Sequence, residues 1–212
     1  MQYNRLEKQE KEIYKELENT ELLDRLKRIR KVYEKLEKKQ QKFASTFNIT
    51  CKDGCGTCCE HFNPNITEVE AEFLAYGLIV EGRDQEIYDA LQVFDDNAEY
   101  CPLYNKYDIY KHCTVYRWRP LVCRLFGYAA SLDKDGNPVY RTCKYNDRNC
   151  DVSTEVLKKN KSSLVIMKDY GMMIEEIDSK KNRSNLLKLE LLRAIDKVNY
   201  MIELEKMSKE AK

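Results

Sequence analysis

The sequence predicts a mainly α protein: a cysteine-rich core carrying a small β-hairpin, flanked by long N- and C-terminal helices. Three observations predict it. Glycine (7) and proline (4) are scarce among 212 residues, too few for a turn-rich all-β fold. Apolar residues recur at alternating spacings of four and three near both ends of the chain. All nine cysteines fall between positions 51 and 150. Charged residues make up 34% against 42% hydrophobic, and the mean hydropathy is −0.70, a balance that suits long exposed helices around a modest core. The chain divides accordingly into an N-terminal heptad-like segment (1–50), a cysteine-cluster segment (51–151) and C-terminal helices (152–212).

Residues 2–47 read as helix. Leu22, Leu26, Ile29, Tyr33, Leu36, Phe43 and Phe47 form the stripe, with Gln40 in its one polar slot. The phase slips near Asn19-Thr20, where a break is expected because both residues favour caps. The stripe can pack on its own domain or form a coiled coil that dimerises or docks a partner. Thr67-x-x-Glu70 has the form of a capping box and starts a helix through about Leu78. A second helix is expected over Gln85–Phe94. Tyr128–Leu132 and Pro138–Cys143 flank the turn Asp133-Lys134-Asp135-Gly136-Asn137, a hairpin signal. A calcium loop is excluded there, since Pro138 stands where glycine is needed and Lys144 where glutamate is needed. Thr154–Asp178 reads as helical, followed by the basic link Lys180–Arg183. Ser184 is placed to cap a last helix reaching about Lys209, with Leu187, Leu191, Ala194, Val198 and Met201 as its stripe. The two end stripes could pair with each other, antiparallel.

The N-terminus has no apolar signal-peptide core, and stretches such as Phe73–Val80 are too short to span a bilayer. A cytoplasmic, reducing setting without membrane contact is therefore expected, where clustered cysteines bind metal or do redox chemistry more often than they form disulfides. Residues 51–151 carry 11 Lys and Arg against 17 Asp and Glu, which argues against a nucleic-acid ligand there.

Four cysteines lie within nine residues: Cys51, Cys55, Cys58 and Cys59, with Gly54 and Gly56 flanking Cys55. Glycine lets backbone N–H groups turn toward sulfur. A metal-binding core follows, with Cys51, Cys55, Cys58, Cys59, Cys101, Cys113, Cys123 and Cys143 as candidate ligands in one or two sites. Cys150, in an Asn-Cys-Asp context, is the expected spare. Structural zinc usually takes two paired-cysteine knuckles, and only Cys55-x-x-Cys58 has that spacing. Three close cysteines plus a remote one suit an iron–sulfur cluster, [4Fe–4S] above the rest, with Zn2+ the alternative. The C-x3-C-x2-C spacing is also that of the radical-SAM loop, although Thr57 stands where an aromatic residue is usual. His61 and His112 sit beside cysteines as further ligand or supporting candidates. Arg119 and Arg124 bracket Pro120 and Cys123; they are expected either to neutralise a thiolate-rich cluster or to line an anion pocket beside it.

The motif order resembles the CxxCxxCC family, the YkgJ-like cysteine-cluster proteins, described as zinc- or iron-chelating. The resemblance is carried by Cys55-Gly56-Thr57-Cys58-Cys59, Ile66-Thr67 with Glu70, Cys101-Pro102-Leu103, Cys113-Thr114-Val115-Tyr116 and Arg119-Pro120-Leu121-Val122-Cys123-Arg124, over about 51–145. The first gap, Cys51 to Cys55, is one residue longer than the family pattern. The family includes flagellin lysine N-methylases, for which an iron–sulfur cluster is implied. The resemblance thus implies iron over zinc and a methylase-like, protein-modifying enzyme as one possibility. A redox or sensing metalloprotein and a zinc-stabilised interaction module are the others. A protein partner or protein substrate is expected, with a dimer through the terminal helices as a further possibility.

Overall fold

The computed structural model describes residues 2–51, 55–108, 112–143, 152–177 and 183–211. Gly54, Tyr110, Cys150 and most of the 180–183 basic link lie outside the described residues. Helix α1 (Gln2–Glu16) and helix α2 (Glu21–Phe47) break where the stripe slips. Asn19 takes a positive φ of 69°, and the Thr20 hydroxyl accepts from the Leu23 amide at 3.1 Å, which caps α2.

The centre of the molecule is helix α4 (Glu68–Glu81), buried along nearly its whole length. A helix apolar on all sides must be enclosed. The described chain encloses it with α1, α2, helix α5 (Asp84–Gln92) and the long helix α9 (Leu187–Glu210). The capping box is present: Thr67 accepts from the Glu70 amide, and the Glu70 carboxylate accepts from the Thr67 amide at 2.9 Å. Leu22, Leu26, Ile29, Tyr33, Leu36 and Phe43 of α2, and Leu187, Leu191, Ala194 and Val198 of α9, are all buried. The pairing expected between the end stripes is not what forms. The α9 stripe lies chiefly on α4, while α2 packs on α4 and on helix α8 (Met167–Glu175). The reason is supply of apolar surface: α4 offers it on every side, whereas each end helix offers one stripe.

Strand β1 (Asn65–Thr67) pairs antiparallel with strand β4 (Ser184–Leu186), and each leads directly into its helix. Ser184 therefore does not cap α9; it pairs with Thr67, and Leu186 stands at the helix start. Inside the fold, Glu72 is fully buried between the Arg25 guanidinium, at 2.7 and 2.8 Å, and the Lys197 ammonium, so one carboxylate joins α2, α4 and α9. Buried charge requires such partners.

The hairpin forms as strands β2 (Ser131–Leu132) and β3 (Pro138–Val139), shorter than the flanking segments suggest. Its next residues are taken elsewhere. Ala130 pairs with Ile166, and the Tyr140 ring packs edge-on against Phe43 while its hydroxyl donates to the Gly127 carbonyl. The Ala130 pairing also divides the stretch expected as one helix over Thr154–Asp178 into helix α7 (Thr154–Lys159), a 3-10 turn and α8. Two β-branched residues, Val165 and Ile166, occupy the extended interval, as their backbone preference favours. No helix among the described residues is long and apolar enough to cross a membrane.

Candidate metal centre

Two anchors set the position of the cysteine segments. The first is Trp118, buried in a slot on α4 that Gly77 leaves open. A Cβ at Gly77 would meet the indole at 2.1 Å. The indole N–H donates to Glu81 at 2.7 Å. The second is Glu70. Beyond its role in the capping box, its buried carboxylate accepts from the Leu121 amide at 2.7 Å. That amide opens helix α6 (Leu121–Leu125), which carries Cys123. One carboxylate thus caps two helices and holds Cys123 over α4.

Helix α3 (Thr57–Glu60) presents Cys58 and Cys59 on a single turn. The Cys101 amide donates to the Cys59 carbonyl at 2.8 Å. The Tyr104–Cys113 bridge and the Asn105 amide bond to the His112 carbonyl hold residues 101–105 beside 112–114. Gly56 permits close approach here, since a Cβ would meet that of His112 at 2.2 Å. Cys51 follows the end of α2, where Asn48 adopts a left-handed cap.

The eight candidate cysteines form two adjoining sets. Cys51, Cys55, Cys58, Cys123 and Cys143 line a narrow cavity of about 50 Å3, together with Arg119, Arg124, Tyr116, Phe126 and Tyr128. Behind it, the thiols of Cys58, Cys101 and Cys113 gather around that of Cys59. Cys58 belongs to both sets. Hydrogen bonding with Cys101, Cys113 and Cys58, with burial added, pushes the Cys59 thiol far up. The same bonding from Cys59 pulls Cys58 and Cys113 down, against burial and with help from the Arg119 charge. Cys59 therefore keeps its proton while Cys58 and Cys113 approach the thiolate form. Cys123 is raised by burial and then by the nearby thiols Cys101 and Cys113. Cys51, the most exposed of the described cysteines, is pushed up to about 11 by loss of water around its sulfur and by Cys55 and Cys143.

Arg119 and Arg124 do different things. Arg119 stacks 3.6 Å from the centre of the Tyr116 ring, and its charge favours the thiolates of Cys58, Cys113 and Cys123. Arg124 lines the same cavity but is buried, with every guanidinium nitrogen engaged. It donates to the Arg119 and Arg117 carbonyls at 2.7 Å and to Glu37 of α2 at 2.8 Å. Its plane lies 4.1 Å from the Tyr33 ring. It holds the 117–119 backbone in place, and Arg119 is the cation that faces sulfur. His112 is half-buried, with Nδ1 3.0 Å from the Asn105 carbonyl, and supports the loop from behind Gly56. His61 is exposed beside Glu60. Tyr116 lines the cavity, whereas Tyr107 is 83% exposed.

Soft thiol donors in this number suit zinc or iron. They are gathered but not closed into a cage: among the described residues, no group of three or more His, Cys, Asp or Glu side chains stands in metal-holding arrangement. The family model CxxCxxCC, whose description reads "Putative zinc- or iron-chelating domain", matches residues 50–155. The chain belongs to the CxxCxxCC family. The matched region spans every described cysteine and both anchored segments, so the CxxCxxCC domain and the thiol cavity coincide in this chain. Neither the curated proteins nor the solved structures offer a match.

Proposed function

We propose that this CxxCxxCC domain holds an iron–sulfur cluster on cysteine thiolates and serves a redox or sensing role. The observation that carries this reading is the cavity lined by Cys51, Cys55, Cys58, Cys123 and Cys143 with Arg119 at its wall. Five thiols exceed the four that a tetrahedral zinc ion takes, and three further thiols stand directly behind them. A fixed cation beside them offsets the negative charge of a thiolate-ligated cluster. A bound cluster supplies one-electron chemistry. This chain's residues supply the thiolates, the neutralising guanidinium of Arg119 and the aromatic wall of Phe126 and Tyr128 that limits water.

Zinc is the second reading, and two observations favour it. Cys58, Cys101 and Cys113 each neighbour Cys59, and four thiols is the number a tetrahedral zinc ion takes. The cavity of about 50 Å3 also has room for only a few waters. Anaerobic purification followed by iron, zinc and acid-labile sulfide analysis separates the two. Iron with matching sulfide, a brown protein and an electron-paramagnetic signal after reduction support the cluster. A colourless protein with stoichiometric zinc and no sulfide overturns it.

A further inference from the structure

A second recess, larger than the thiol cavity at about 590 Å3, is walled by α2, the β2–β3 hairpin and α8. Its rim is built of lysines. Lys35, Lys38, Lys39 and Lys42 follow the i, i+3, i+4, i+7 spacing of one helix face, and Lys161 stands opposite. Against these five ammonium groups the recess offers one carboxylate, Asp169. The Lys39 ammonium is held by the Ser162 carbonyl. Lys35, Lys38, Lys42 and Lys161 have no carboxylate partner among the described residues.

The floor has the opposite character. Leu164 and Tyr170 are buried, and Ile166 and Met173 are half-buried. Leu132 in the lining is 44% exposed, and Met167, next in the chain to Ile166, is 45% exposed. Like charges stacked along one helix face repel one another, and here they surround an apolar recess instead of projecting from a flat surface.

We propose that this recess docks an acidic segment of a partner protein that carries apolar side chains. Its carboxylates meet the lysine rim and one or two apolar side chains fill the floor. The volume is that of a small-ligand pocket. Leu132 in the lining and Met167, next in the chain to Ile166, leave further apolar surface exposed for an occupant larger than a single small molecule. A lipid bilayer is disfavoured because a flat surface does not reach the floor of a recess. Nucleic acid is disfavoured because Tyr170 is too buried to offer a stacking face. The site lies close to the thiol cavity. Tyr140, just past β3, packs on Phe43 of α2 and bonds to Gly127 of the cavity wall. The inference does not depend on which metal the thiols hold.

The test uses the full chain and fluorescence anisotropy. The probe is a labelled peptide of glutamates interrupted by leucines, compared with a leucine-free counterpart and a lysine-for-glutamate counterpart. The glutamate–leucine peptide is expected to bind, with affinity falling as salt rises, and the leucine-free peptide to bind several-fold more weakly. The exposed double variant Lys35→Glu/Lys42→Glu is expected to weaken binding about tenfold while leaving the far-ultraviolet spectrum and metal content unchanged. A shift of the Met173 methyl resonance on titration with the glutamate–leucine peptide supports occupancy of the floor. Binding unaffected by charge reversal, or no binding, overturns the proposal. So does charge-dependent binding to phosphatidylserine vesicles with none to the peptide, which reassigns the face to a membrane surface.

Discussion

Gly77→Ala adds one methyl group at the point where α4 receives Trp118. The new Cβ would meet the indole ring at 2.1 Å, and a rigid bicyclic ring cannot turn aside as a flexible side chain does. The indole must retreat. It then loses its bond to Glu81 and its edge contacts with Phe73 at 5.4 Å and Tyr76 at 5.9 Å. Overpacking of this kind costs about 1–3 kcal/mol, and the lost hydrogen bond and ring contacts add about 1–2 kcal/mol. Alanine returns about 1 kcal/mol of helix propensity. The net loss is about 2 kcal/mol, a fall in Tm of about 4–8 °C at this chain length. The assay is direct because Trp118 is the only tryptophan in the chain and is 2% exposed. Its emission should move to longer wavelength in the variant, and metal content should fall because Arg119 and Cys123 follow Trp118 in the chain. Unchanged emission, Tm and metal content would refute the argument that this slot positions the centre.

Glu70→Ala removes the carboxylate half of the α4 capping box and the cap of α6, and leaves the buried Leu121 amide without a partner; a loss of about 2–4 kcal/mol in urea unfolding is expected. In metal-free protein at neutral pH, Cys58 and Cys113, held low by Cys59 and Arg119, are expected to alkylate with iodoacetamide before Cys51. A thiol raised to about 11 stays protonated until the pH approaches that value, so Cys51 should catch up only in alkaline buffer; mass spectrometry of the modified peptides checks the order, and Cys51 reacting first at neutral pH counts against it. Metal removal is expected to raise hydrogen exchange in 55–60 and 101–108 while α2, α4 and α9 stay protected; uniform exchange across the chain would contradict an apolar core that stands without metal.

What the sequence discloses and what it hides divide on physical lines. The α2 and α9 stripes are legible because helical periodicity marks a buried face, but it does not say which surface covers that face. The partner is α4, which is buried on nearly every side, so its apolar residues carry no directional pattern. The Thr67–Glu70 box is legible as a local motif, whereas the bond from Glu70 to Leu121 spans 51 positions and has no local trace. Arg119 and Arg124 look equivalent beside Cys123. They are separated by Glu37, which lies 87 positions away and secures Arg124 alone. Ser184 reads as a cap by residue type and is taken by strand pairing instead, because a hydroxyl serves either. Spacing and likeness point to eight ligand candidates; Cys51, Cys55, Cys58, Cys123 and Cys143 line one cavity and Cys58, Cys101 and Cys113 neighbour Cys59, with Cys150 outside the described residues. Gly77 left one signal, an isolated glycine within a helical pattern, which a packing reason usually explains.

The two-stranded clasp of β1 and β4 bears on the order of assembly. It joins residues 65–67 to residues 184–186, so the contact that sets α9 against α4 closes a loop of more than a hundred residues. Such closure carries a high entropic cost and slows folding relative to local contacts. On the ribosome, α4 emerges long before α9 and keeps an apolar flank open to water until α9 is made. The anchors for the cysteine segments, Gly77 and Glu70, lie on that same helix. The thiol pocket therefore takes its final shape only once α9 has been made and has docked on α4.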